Sequence, residues 1–191
     1  MSLLLRSSLH GAVGLALMSL LAYSIWAFAP HVAGSEGGMY ALIAVVYLAG
    51  TGLVLCGLLK GVNRLQRFYA MFLPAFAGYA VLWSLAWFAL KRGVGEWIGA
   101  TLGTTFFSWM IWSCLRRPLG FWLGAFVLFA LHTLGYFIGG VWMYRLLDRG
   151  IEGWEQFHVA VVAKLGWGLF YGLGFGAGIG FVFGWWQRIT K

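Results

Sequence analysis

Long apolar runs separated by short polar segments account for nearly the whole sequence. Each run holds about 20 residues or more, the length that a helix needs to cross the hydrocarbon core of a bilayer. None of them shows the apolar–polar alternation over about ten residues that marks a transmembrane β-strand. The pattern therefore predicts an all-α, polytopic membrane protein with six transmembrane helices, at residues 9–29, 39–59, 68–90, 97–115, 119–146 and 158–186.

The polar connections between the runs are short, from a few residues to about a dozen. Helices that are neighbours in sequence are therefore expected to pack antiparallel in a compact bundle. No stretch is long enough for a separate soluble domain, so we expect one helical domain over residues 1–191. Residues 27–29 have the small side chains of a signal cleavage site, but Pro30 follows them directly, so we expect the first helix to be retained.

Composition agrees with the membrane assignment. Of the 191 residues, 62% are apolar and 9% are charged, whereas a soluble domain carries about 25% charged residues. The formal net charge of +8 does not indicate nucleic-acid binding, because the sequence offers no soluble basic face.

The distribution of charge along the chain predicts its orientation. With both termini in the cytoplasm, the inner side holds the basic residues Arg6, Lys60, Arg64, Arg67, Arg116, Arg117, Arg188 and Lys191. The outer side holds Lys91, Arg92, Arg145, Arg149 and Lys164, together with the acids Glu36, Glu96, Asp148, Glu152 and Glu155. This partition follows the positive-inside rule, so we expect cytoplasmic termini in a bacterial inner membrane. The inner basic residues are expected to contact anionic lipid headgroups.

The sixth run has glycine at every fourth position, at Gly168, Gly172, Gly176, Gly180 and Gly184. Two further glycines, Gly174 and Gly178, fall on roughly the opposite side of a helix. Glycine costs up to about 1 kcal/mol in a helix interior, but small residues allow membrane helices to pack closely. We therefore predict a central sixth helix with a partner on each face. Two alternatives are a ligand lying against bare backbone and a bending gate.

The fifth run supplies a natural partner, because Gly135 and Gly139 have the same four-residue spacing. His132 and Tyr136 share one helical face of this run. His132 falls near the bilayer midplane, where an ionisable group is a functional candidate. We expect a neutral, hydrogen-bonded imidazole; the alternatives are a ligand to haem or another cofactor, a proton relay and a substrate contact.

Polar residues on two other runs are further candidates. A hydroxyl stripe on the fourth run is formed by Thr101, Thr104, Thr105 and Ser108. Such hydroxyls bond to their own helix or to a neighbouring helix, or they line a polar path. Lys164, about two turns into the sixth run, has to reach water or pair with an acid.

The connection before the sixth run is the most polar part of the chain and forms an outer polar cluster of Asp148, Glu152, Glu155 and His158. The spacing of Glu155 and His158 is the one used in di-iron carboxylate helices. The chain has no second such pair, so we expect salt bridges and an interfacial helix anchored by Trp154, with no metal site.

The sequence supports two functional hypotheses. No Walker A sequence, dinucleotide fingerprint or Gly-x-Ser-x-Gly motif is present, so nothing supports an enzyme, and no cofactor is identified. The first, which the sequence favours, is a structural or docking subunit of a larger membrane complex that acts through glycine-rich helix interfaces, and whose partners are lipids and other membrane subunits or a second copy. The second is a small-solute transporter, channel or substrate-binding membrane subunit, with a cavity lined by Thr101, Thr105, Ser108, His132, Tyr136 and Lys164.

Overall fold

A computed structural model describes residues 2–91, 93–115 and 120–187 of the chain. Within these ranges the long elements are all helices, and no strand is present. They are α1 (Leu3–Phe28), α2 (Glu36–Leu55), α3 (Arg64–Leu90), α4 (Val94–Leu115), α5 (Phe121–Arg149) and α6 (Gln156–Trp186). Each is long and apolar enough to cross a membrane. The predicted six-helix membrane architecture is confirmed.

Helix ends differ from the predicted ones because caps, and not apolar periodicity, determine where a helix begins. α1 begins six residues earlier than predicted, since the Ser2 side chain accepts a hydrogen bond from the backbone N–H of Leu5. α2 likewise begins at Glu36, since the Ser35 side chain accepts one from Gly38. Both are ordinary N-caps, which satisfy backbone donors that the first turn leaves free.

The helices are arranged so that α6 lies between α1 and α5. α4 packs against both α3 and α5, and α2 packs against α1. We call the end where α1 begins and α6 ends the terminal end, and the opposite end the loop end. At the terminal end, Gly184 of α6 lies against Ser7 of α1. Nearer the loop end, Gly168 lies against Tyr23, so the two helices are antiparallel.

The four-residue glycine row of α6 faces α1. A Cβ added at Gly172 would lie 2.6 Å from the Cα of Ala16, and one added at Gly180 would lie 2.8 Å from the Cα of Ser8. Gly176 lies directly against the backbone of Gly11. Only glycine permits backbones to approach this closely, so these positions fix the distance between α1 and α6.

The second glycine row faces α5. Gly174 lies against Gly135, and a Cβ added at Gly178 would come within 2.6 Å of a Leu128 methyl group. Gly139 lies against Trp167 of α6. From the sequence, α5 was indicated as a partner but α1 was not identified, although Ser8, Ala12 and Ala16 of α1 also recur at every fourth position.

The described charges are distributed unequally between the two ends of the bundle, with Lys91, Arg145, Arg149 and Lys164 at the same end as the acids. All five acids lie at the loop end, and Arg6, Lys60, Arg64 and Arg67 lie at the terminal end. The predicted inner residues Arg116, Arg117, Arg188 and Lys191, and the outer residue Arg92, lie outside the described residues. The end that faces the cytoplasm stays a prediction.

Cysteine labelling tests this orientation. In a background with Cys56 and Cys114 changed to Ser, we expect Glu152→Cys to react with a membrane-impermeant maleimide in intact cells. Val62→Cys should react only after permeabilisation, because Val62 is exposed near the opposite end. Labelling of Val62→Cys in intact cells would reverse the predicted orientation.

Candidate ligand cavity between α2 and α3

A cavity of about 320 Å³ lies between α2 and α3 and reaches inward to α5 and α6. Most of its lining is aromatic: Tyr23, Tyr40, Tyr47, Phe76, Tyr79, Trp83, Tyr136, Trp167 and Tyr171. Ile43, Ala44, Ala80 and Ser84 complete it. Two helices that pack loosely on one another therefore flank an open-sided space with aromatic walls.

The lining of α2 and the lining of α3 repeat one sequence pattern. Positions 40, 43, 44 and 47 line the cavity from α2, and positions 76, 79, 80 and 83 line it from α3. Both sets follow the i, i+3, i+4, i+7 spacing of a single helix face. In each set the third position is alanine, between larger side chains. The rings thus hold the helices apart while the alanines leave room between them.

The two helices are held together nearer the terminal end. Tyr69 of α3 packs on Gly52 of α2, and its hydroxyl donates to the backbone carbonyl of Ala49. The rings of Tyr47 and Phe76 then meet at 5.7 Å between centroids. The cavity begins on the loop-end side of this contact, so it lies in the half of the bundle that is nearer the loop end.

His132 of α5 lies directly behind the cavity wall. Its Nε2 is 2.7 Å from the hydroxyl of Tyr79, which lies 3.4 Å from the hydroxyl of Tyr171. The imidazole is fully buried, its ring packs edge-on against Phe175, and its Nδ1 has no hydrogen-bond partner within the described chain. An imidazole buried without a carboxylate beside it is expected to be neutral.

We expect His132→Leu to lower the free energy of unfolding by about 1 kcal/mol, the scale of hydrogen bonds between membrane helices. His132→Gln should lower the free energy of unfolding by less, because Gln keeps a donor and an acceptor. Thermal denaturation in mild detergent measures both. Tyr79→Phe should lower the free energy of unfolding less in the His132→Leu background than in the wild type. An equal loss in the two backgrounds would show that the two side chains are not coupled.

The structure does not bring the six predicted lining residues together. Tyr136 lines the cavity, and His132 lies one layer behind it. The remaining four, Thr101, Thr105, Ser108 and Lys164, do not line it. Thr101 is exposed and donates to the backbone carbonyl of Trp97 at 2.8 Å, while Ser108 is buried. Hydroxyl spacing on α4 alone could not show which face of that helix meets the cavity.

Lys164 is half-buried, and its side chain reaches the last turn of α1. Its Nζ donates to the backbone carbonyl of Trp26 at 3.1 Å and lies 4.7 Å from the centre of the Trp26 ring. An ammonium group is attracted to both of these, since the face of an aromatic ring carries negative charge density. Within the described part of the chain, the lysine is thus stabilised by a carbonyl oxygen and a ring face.

The outer polar cluster lies at the loop end, away from the cavity. Asp148, Glu152, Glu155 and His158 are all exposed. His158 Nδ1 and a carboxylate oxygen of Glu155 are 3.7 Å apart. Within the described ranges, no three His, Cys, Asp or Glu residues are grouped closely enough to hold a metal ion. A different acid, Glu96, accepts a hydrogen bond of 3.3 Å from the hydroxyl of Tyr136.

Sequence reasoning missed most of the aromatic lining. The available signal was the shared spacing on the second and third apolar runs, with tyrosines well inside the predicted spans at positions 47, 79 and 171. Tyrosine is more usual at membrane interfaces. At mid-depth in this bundle, the hydroxyls of Tyr79 and Tyr171 lie 3.4 Å apart, whereas that of Tyr47 is buried with no hydrogen-bond partner among the described residues.

Comparison of the chain with protein-family models, with curated proteins and with solved structures finds no match. A helical bundle by itself does not specify a function. The geometry and chemistry of the cavity are therefore the basis for a functional proposal.

Proposed function

We propose that the chain is a small-solute-binding membrane protein, either a transporter or the substrate-binding membrane subunit of one. The observation that carries this proposal is the aromatic cavity between α2 and α3. Its volume of about 320 Å³ lies at the lower end of the range of about 300–1,000 Å³ for small-molecule sites. Such sites are typically apolar and aromatic, with a few polar groups that orient the ligand.

The rest of the bundle supports the proposal by contrast. Along α1, α6 and α5 the glycine rows bring helix backbones into direct contact. The α2–α3 face carries large rings and alanines at the corresponding depth, so close packing is absent where the cavity lies. Cavities cost packing energy, and a ligand that fills this one would offset that cost.

The polar groups behind the wall are placed to orient a ligand. Tyr79 lines the cavity and is fixed from behind by His132 at 2.7 Å. Tyr171 lines it from α6 and is held close to Tyr79. A rigid first layer supported by a second layer is what a selective binding site requires. The charge distribution supports a bacterial inner membrane as the location.

A second candidate function is a subunit of a larger membrane complex. The glycine faces that suggested docking are occupied by the chain's own helices, so docking would use other surfaces. The observation that favours it is exposed aromatic surface on α5, where Trp122 is 78% exposed and Phe126 64% exposed. Aromatic residues are enriched in interfaces, but lipid covers such side chains equally well. Stable partner subunits after purification in mild detergent would support this candidate.

The binding proposal is tested with a cavity-filling variant, Ala80→Trp. The full chain is purified in mild detergent and its melting temperature is measured with phenol, benzoate or phenyltrimethylammonium as neutral, anionic and cationic probes. At least one probe should raise the melting temperature of the wild type, as any ligand of the folded state does. The same probe should have no effect on Ala80→Trp.

Phe126→Trp, which adds a ring on an exposed face, is the matched control and should respond like the wild type. Equal responses of the wild type and Ala80→Trp to all three probes would overturn the proposal.

A further inference from the structure

We propose that the ligand of the α2–α3 cavity is a small organic cation, with a quaternary ammonium group held by aromatic faces. This inference rests on the binding function proposed above and specifies its substrate class. It follows from three features of the cavity: the angles between its rings, the charges around it, and an ammonium group that the chain already holds in the same aromatic cluster.

The rings of the inner wall stand at steep angles to one another. Tyr23 and Trp167 meet at 84°, Trp167 and Tyr136 at 67°, and Tyr136 and Trp83 at 64°. Successive centroids are 5.9–6.1 Å apart. Rings arranged in this way pack edge to face, so the faces of successive rings point in different directions along the wall. A wall of this kind suits a quaternary ammonium group, because several ring faces can contact one cation.

The surface that these rings present is mostly carbon. The indole nitrogens of Trp83 and Trp167 are buried and have no hydrogen-bond partner in the described chain. They therefore do not add donors to the accessible wall. A ligand with many hydrogen-bonding groups would lose its hydration here without replacement, whereas a quaternary ammonium group has no N–H donor to satisfy.

The charges around the cavity also favour a cation. Among the described residues, no lysine or arginine lines it. The carboxylate of Glu96 accepts a hydrogen bond of 3.3 Å from the hydroxyl of Tyr136, which lines the cavity. This interaction places negative charge behind the Tyr136 ring. The attraction between that ring and a cation is strengthened as a result.

The same aromatic cluster already holds an ammonium group. Lys164 Nζ lies over the Trp26 ring at 4.7 Å. Trp26 in turn contacts Tyr23 and Trp167, each at 6.0 Å between centroids, and both of those rings line the cavity. The cluster thus stabilises a cation at one edge, and the cavity offers the neighbouring rings Tyr23 and Trp167 to a second one.

The test compares choline with 3,3-dimethylbutan-1-ol, the uncharged compound of the same shape, by calorimetric titration of the full chain in mild detergent. Choline should bind the wild type at least about tenfold more tightly, as expected for a desolvated cation–π contact. Tyr136→Leu should weaken choline binding by about tenfold. Tyr136→Phe keeps the ring and should weaken choline binding less. Glu96→Gln should weaken choline binding and leave the alcohol unaffected.

Phe126→Leu, on an exposed face of α5, is the control for general effects on folding and should leave both affinities unchanged. Equal affinity for choline and the alcohol would overturn the cation inference. Protection by phenol or benzoate that is lost in Ala80→Trp, without choline binding, would also overturn it while leaving the binding function intact. Absence of any probe that distinguishes the wild type from Ala80→Trp would overturn both.

Discussion

Gly176→Leu should lower the free energy of unfolding by at least about 1–3 kcal/mol, the usual cost of overpacking a close contact. Gly176 lies against the backbone of Gly11, and a Cβ there would also lie 2.7 Å from the Cβ of Leu15. Backbone cannot rotate out of the way as a side chain can, so α1 and α6 would have to separate. Gly172→Leu should have the same effect, because its added Cβ would meet the backbone of Ala16. Thermal denaturation in mild detergent measures both.

Gly140→Leu is the matched control. Gly140 lies in α5, and an added Cβ meets nothing within 4 Å. This variant should be neutral or should gain up to about 1 kcal/mol from improved helix propensity. Phe181→Leu, at a half-buried position of α6, should change the free energy of unfolding only slightly. Unchanged stability of both Gly172→Leu and Gly176→Leu would show that α6 is not packed centrally.

Phe175→Ala should lower the free energy of unfolding by about 3 kcal/mol or more, as truncation of a buried Phe usually does. Phe175 is fully buried in α6. Its ring centroid lies 5.0 Å from that of His132, 5.2 Å from Tyr79 and 5.5 Å from Phe107. The ring therefore joins α3, α4, α5 and α6, and its removal leaves a gap that no single neighbour can fill.

Phe126→Ala removes the same atoms from a position that is 64% exposed, and it should cost less than about 1 kcal/mol. Because Phe175 supports Tyr79 and His132, Phe175→Ala should also weaken probe binding in the cavity, whereas Phe126→Ala should not. Similar losses of stability in the two variants would show that the ring cluster around Phe175 does not form the core.

The fold was largely predictable because the bilayer imposes strong constraints on sequence. A spanning helix needs a continuous apolar run of about 20 residues, and six such runs can be counted directly. The ends were less predictable, as α1 shows, because a capping side chain such as Ser2 determines where the helix begins. The central position of α6 also followed from its two glycine rows.

The site was less predictable because helix faces meet according to tertiary packing. His132 and Tyr136 were identified from depth and chemistry, and the structure places them at or behind the cavity wall. Thr101 and Ser108 carry similar polar groups, but α4 contributes no residue to the cavity lining. Tyr23 and Tyr40 come from α1 and α2, and their approach to α6 depends on the unrecognised contact between α1 and α6.

A small molecule that occupies the space between α2 and α3 should protect the residues that line it. The most direct measurement is the rate at which methyl methanethiosulfonate modifies Ala80→Cys, in a chain whose own cysteines are Ser, with and without a bound probe. Ala80 lines the cavity, whereas Ala75, one turn and a half earlier on α3, is fully buried. We predict that Ala80→Cys reacts readily, that a saturating probe slows the reaction, and that Ala75→Cys stays unmodified. An Ala80→Cys variant as unreactive as Ala75→Cys, or one whose rate no bound probe changes, would contradict the claim.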